Sequence, residues 1–153
     1  MRRLVSRGLV AAILVLGASA HAQYLQGAAP PSILIEKLDE DARQCGITED
    51  LLDAAVRLPF ASANLRINDS ALTPYVYVNV NVLRLSSGLC VANVAMDLKR
   101  SMWAAPGASR SLIASVWSKG AMLSGGASNF GRRVSDATET FAKQLVGAWL
   151  KDN

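Results

Sequence analysis

Residues 75–85 read YVYVNVNVLRL, and the strict two-residue alternation of this stretch decides the fold. Val76, Val78, Val80 and Val82 fall on one side, while Tyr75, Tyr77, Asn79 and Asn81 fall on the other, the pattern of a half-buried strand and not of a helix. Ser86-Ser87-Gly88 then predicts a three-residue hairpin loop. The strand that follows puts Cys90, Ala92, Val94, Met96 and Leu98 on one side and Asn93 and Asp97 on the other. A slip of one residue would exchange the two faces, so the register of the pair is strongly specified.

Working upstream, Ile33-Leu34-Ile35 predicts a short strand, followed by an acidic turn that ends at Cys45-Gly46. Thr48 caps a helix whose first turn holds Glu49 and Asp50, where the helix dipole favours negative charge. Leu51, Leu52, Ala55, Val56 and Leu58 form its apolar stripe, and Pro59 is expected to close it; Asn64 to Asn68 then reads as a brief strand with Leu65 and Ile67 on one face. Downstream, Pro106-Gly107 marks a turn, Leu112 to Ser118 a further strand, and Gly120 to Gly131 a Gly-rich connector. Val134, Ala137, Phe141, Leu145, Ala148 and Trp149 recur at helical intervals, predicting a helix over 134–151 docked on a sheet. The expected architecture is an α/β (α+β) two-layer sandwich, with one mainly antiparallel sheet and two helices packed on one face.

At 153 residues, 51% hydrophobic and 18% charged, the chain has the size of one folded domain. Arg2, Arg3 and Arg7, the apolar run Leu9 to Leu16 and the small-x-small site Ala20-His21-Ala22 predict a cleaved signal peptide over 1–22, with Gln23 as the first mature residue. A twin-arginine route is an alternative to Sec given Arg2-Arg3. The apolar run is shorter than the roughly 20 residues that span a bilayer, so no permanent membrane anchor is expected. Residues 23–32, with Pro30-Pro31, read as a tail and 33–153 as the domain; the expected location is periplasmic or secreted.

Cleavage would change the chemistry open to the protein. The mature chain would carry 13 basic against 12 acidic residues, so the pI near 9.4 does not signal nucleic-acid binding. It would also lose His21, the single histidine, and with it His-dependent nucleophilic catalysis, His-ligated zinc and a His pH switch. Cys45 and Cys90, in a chain bound for an oxidising compartment, predict one intramolecular disulfide, with two buried thiols as the alternative. The remaining charge is segregated, net −5 over 23–53 and net +6 over 54–153, which reads first as two solvated faces.

Few candidate sites are left. Asp39-Glu40-Asp41 lacks the EF-hand spacing and its distal Glu, so a solvated acidic turn is favoured over calcium. Gly125-Gly126-Ala127-Ser128 ahead of Arg132-Arg133 is a candidate anion site, weighed against a flexible connector. A paired-carboxylate hydrolase would have to draw on Asp97, Asp136 or Glu139, and no S-x-x-K motif supports a Ser-Lys dyad. No catalytic residue, metal ligand or cofactor is assigned. The candidate binding face is the polar side of the sheet: Tyr75, Tyr77, Asn79, Asn81 and Asn93, joined by Ser115 and Trp117, because aromatic rings beside amides suit sugars and partner proteins alike.

The order of elements, with the YVYVNVNV strand, the Ser86-Ser87-Gly88 hairpin, Trp117 before a Gly-rich passage and a terminal helix running from Phe141-Ala142 to Trp149-Leu150, resembles small exported bacterial proteins of unassigned function. Their fold is similar to the N-terminal domain of the TolB type, also seen in curli-secretion-like proteins of the envelope. The resemblance implies an envelope or secreted setting and supplies no functional residue. The expected function is therefore a non-enzymatic, exported binding or assembly domain with an envelope protein as partner. A glycan- or peptidoglycan-binding module is the alternative, and a cryptic hydrolase the third.

Overall fold

The computed structural model describes residues 25, 27–70, 72–103, 107 and 109–152; the leader over 1–22 and the cleavage point at Gln23 lie outside the described residues. Four strands form one sheet in the order β1-β2-β3-β4: β1 (Ser32–Ile35), β2 (Tyr75–Arg84), β3 (Leu89–Trp103) and β4 (Ser111–Gly126). β1 runs parallel to β2, and the two remaining pairings are antiparallel. Three helices, α1 (Glu40–Gln44), α2 (Glu49–Ser62) and α3 (Ala127–Asp152), cover one side of the sheet, which makes the fold a two-layer α+β sandwich as its periodicity predicts.

The buried face is the valine face. Val76, Val78 and Val80 of β2 lie opposite Leu98, Met96 and Val94 of β3, and all six are buried under the helices. Phe130, Val134, Phe141, Leu145 and Trp149 dock α3 onto this layer, while Leu52, Val56 and Phe60 dock α2. The Phe60 and Trp149 rings meet edge to face at 6.4 Å between centroids, joining the two helices. Ser86-Ser87-Gly88 forms the expected hairpin loop, with Gly88 at φ +78° and the Leu85 N–H donating to the Leu89 carbonyl at 2.8 Å.

Several boundaries differ from the sequence expectations, each for a local reason. The acidic turn is the short helix α1, because the Asp39 side chain accepts the Ala42 N–H at 2.8 Å and caps it. α1 ends in a Schellman motif: Gly46, at φ +76°, donates its N–H to the Arg43 carbonyl and Ile47 donates to Ala42, each at 3.0 Å. The same motif closes α2, with Asn64 at φ +55° donating to Ala61 at 3.0 Å and Leu65 donating to Phe60 at 2.9 Å. α2 therefore passes through Pro59 and stops at Ser62, held by the buried Phe60. The expected strand at Asn64 to Asn68 does not form, since Asn64 and Leu65 are committed to the cap; Leu65 and Ile67 still pack against the core.

The Gly-rich connector is also overturned. β4 continues through Gly120, Gly125 and Gly126, and α3 begins at Ala127, seven residues before the expected start. The small residues let the strand continue on the sheet: a Cβ on Gly120 would sit 3.3 Å from the Val94 carbonyl oxygen. Gly131 is required for a different reason. A Cβ there would collide with the Gly46 carbonyl, so glycine allows the loop after α1 to lie directly on the first turns of α3.

The Cys45–Cys90 disulfide pins the same place, joining the C-cap of α1 to the buried side of β3 across 6.2 Å between Cα atoms. It closes a 45-residue separation, which the chain-entropy account converts to about 4 kcal/mol. Replacing both cysteines by serine should lower the unfolding free energy by about that much in denaturant titrations, with the slope on denaturant concentration as a check on compactness. Val78→Asp places an unpaired charge in the core and should abolish the cooperative thermal transition altogether.

Candidate functional site

On the uncovered face of the sheet, β2 presents Tyr75, Tyr77, Asn79 and Asn81 as its alternation requires, and β3 sets Lys99, Asp97, Ala95 and Asn93 opposite them. Glu36, immediately after β1, is brought beside this row by the parallel pairing of β1 with β2. Its carboxylate accepts from the Tyr77 hydroxyl and from the Asn79 side-chain amide, and the Asn81 side-chain amide donates in turn to Asn79 Oδ1. Lys99 Nζ lies 4.8 Å from the centroid of the Tyr77 ring. Tyr77, Asn79 and Asn81, three of the residues that sequence reasoning offered to a ligand, are thus linked through Glu36, while Tyr75 and Asn93 lie on the same face outside this network. Glu36 was missed at that stage, because only the parallel pairing places it there.

The hydrogen bond from Tyr77, followed by that from Asn79, holds the Glu36 carboxyl below the ordinary carboxylate range. The same Glu36 bond pushes the Tyr77 phenol above its ordinary value. The carboxylate contribution to stability is present above the unfolded carboxyl pKa and fades as pH falls through the lowered folded value. The phenol contribution is present below the ordinary phenol pKa and fades as pH rises through the raised one.

Trp117 does not join that face. Leu98 pairs with Trp117 and Lys99 with Ser115, leaving Val116 as the extra residue of a β-bulge. The bulge breaks the alternation, so Val116 and Trp117 both point to the helix side while Ser115 stays on the open side. The signal was present as two adjacent apolar residues inside Ser115-Val116-Trp117-Ser118. Trp117 instead lines a groove of about 690 Å³ between β4 and the C-terminal part of α3, together with Met102, Ala114, Val116, Lys119 and Ala148. Beyond this groove the β3–β4 hairpin carries Trp103, Leu112 and Ile113, exposed by 69%, 49% and 57%.

The two arginines of the candidate anion site lie in the second turn of α3. Arg132 is exposed, and Arg133 Nη1 donates to the Ser124 carbonyl, while Gly125 and Gly126 belong to β4. Among the described residues no loop of free amides is brought to them. The acidic triplet is likewise engaged: Asp39 caps α1, Glu40 pairs with Arg43 at 2.9 Å, and Asp41 accepts the Arg84 N–H at 3.0 Å. Of the three candidate hydrolase carboxylates, Glu139 pairs with Lys143 at 2.6 Å on α3, and Asp97 stands across from Tyr77 on the open sheet.

The tyrosine network predicts its own titration. The Tyr77 phenol, followed by NMR, should ionise at higher pH than tyrosine in an unstructured peptide, and Glu36→Gln should bring it back down while leaving the fold intact. A midpoint unmoved by Glu36→Gln would show that this bond does not form in solution. No protein-family model matches the chain, and neither a curated protein nor a solved structure matches it.

Proposed function

We propose that this protein is a non-catalytic, exported domain that binds another component of the cell envelope, in the periplasm or outside the cell. The buried disulfide suits an oxidising compartment, and the N-terminal pattern of arginines, apolar run and Ala20-His21-Ala22 suits export. None of the helices among the described residues is long and apolar enough to cross a membrane.

The observation that carries the binding reading is the apolar surface of the β3–β4 hairpin. Trp103 and Ile113 stand two register positions apart on one face near the tip of the hairpin, with Leu112 beside them on the other face, and all three are exposed. Large apolar side chains gathered in one region mark a contact surface more often than single exposed ones do. A protein partner fits this surface better than a glycan. Tyr77, Asn79 and Asn81 are occupied by Glu36 and by each other, and Trp117 faces the helices.

The test compares wild type with the Trp103→Ser, Ile113→Ser double variant as baits in cross-linked envelope extract. Both side chains are exposed, so the variant should lose no more than about 1 kcal/mol of stability. A specific envelope protein captured by wild type should be lost or strongly depleted on the variant. Equal capture by both baits, or none by either, would defeat the reading. The exported protein should also begin at or near Gln23 on N-terminal sequencing, and a retained leader would contradict export by cleavage.

A further inference from the structure

β4 is a sixteen-residue strand that pairs with β3 on one side and, among the described residues, with no strand on the other. The opposite edge of the sheet is different in kind: β1 has four residues, and the Asn68 N–H donates to the Pro31 carbonyl just ahead of it. A long bare edge offers a row of N–H and C=O groups that only another extended backbone can match. Beneath the middle of this edge lies the groove floored by Met102, Ala114, Val116, Trp117 and Ala148, whose volume of about 690 Å³ is that of a small-ligand pocket.

Lys119 stands within that groove. It pairs with the buried Met96, so its side chain leaves β4 on the helix side of the sheet, and it is the one charged residue among those lining the groove. An inward-pointing charge beside a bulge penalises indiscriminate edge pairing, because an apolar strand laid there would cover an unmatched ammonium group. A strand with a carboxylate at that point removes the penalty. β4 itself contains no acidic residue, so a second copy docked β4 to β4 cannot supply one.

We propose that the β4 edge and this groove form a strand-addition site for an extended segment of a partner protein, one that turns alternate apolar side chains into the groove and sets a carboxylate against Lys119. The inference rests on the binding function argued above and names the chemistry of its partner. Backbone pairing would supply much of the affinity and the groove with Lys119 the selectivity. Charge placement favours it further. The acidic residues of 36–53 belong to the half of the molecule where α1 contacts β2 and α2 contacts β1, so they leave the β4 side to the basic part of the chain.

The probes are two fluorescent peptides of alternating valine and threonine, one with a glutamate and the other with a lysine at a central valine position. The purified protein should bind the glutamate peptide about fivefold more tightly at low salt, as an ion pair of this exposure allows, and the preference should shrink as salt rises. Lys119→Glu should reverse the preference with the circular dichroism unchanged. Hydrogen exchange should slow along β4 when peptide is added. Equal affinity for the two peptides, a preference untouched by Lys119→Glu, or slowing confined to other elements would overturn the proposal. Self-association that protects β4 without peptide would also overturn it, in favour of a second copy. An envelope protein captured equally by wild type and Lys119→Glu would leave the binding function standing while removing this site. A charge-dependent peptide preference with no envelope partner would do the reverse.

Discussion

Everything in this molecule hangs on the pairing of β2 with β3 in a register that puts valine against Leu98, Met96 and Val94. Ten consecutive residue pairs align without interruption, and the face they create is apolar enough that helices must cover it. α3 does so lengthwise and α2 beside it, with Phe60 and Trp149 closing the seam between them. The disulfide and the Gly46–Gly131 approach then fix α1 at one end of the same face. Remove the register and neither helix has a surface to bury its stripe against.

The open face shows what such a sheet does with polar residues that have no layer above them. Tyr77 and Asn79 are drawn together by the Glu36 carboxylate just after the neighbouring strand, and Asn81 joins them through Asn79. Exposed Trp103 and Ile113 sit elsewhere, near the tip of the β3–β4 hairpin. The exposed apolar pair and the internal network thereby occupy different parts of the sheet.

The bulge at Val116 governs the β4 side. One extra residue turns Trp117 from the solvent face to the helix face and sends Lys119 the same way, which creates a charged groove where a regular strand would have shown a tryptophan to solvent. A single backbone irregularity therefore decides both which residues leave the polar face and which side chains line the groove.

The sequence by itself determined the layers: alternation in Tyr75 to Leu85 and Cys90 to Leu98, the Thr48 cap, the Ser86-Ser87-Gly88 loop and the apolar stripe of the last helix all report local periodicity, and local periodicity is what a chain writes most directly. The ends of the helices were less plain: Pro59 was expected to close α2 and Asn64 to start a strand, whereas Gly46 and Asn64 take the positive φ that ends α1 and α2. Only the tertiary structure decided the site. Glu36 reaches Tyr77 across 41 positions of chain, the Gly-rich segment becomes strand because Val94 lies close beside Gly120, and Trp117 changes sides because β3 and β4 differ by one residue in length across their pairing. Such contacts depend on which segments become neighbours, and no window along the chain contains both partners.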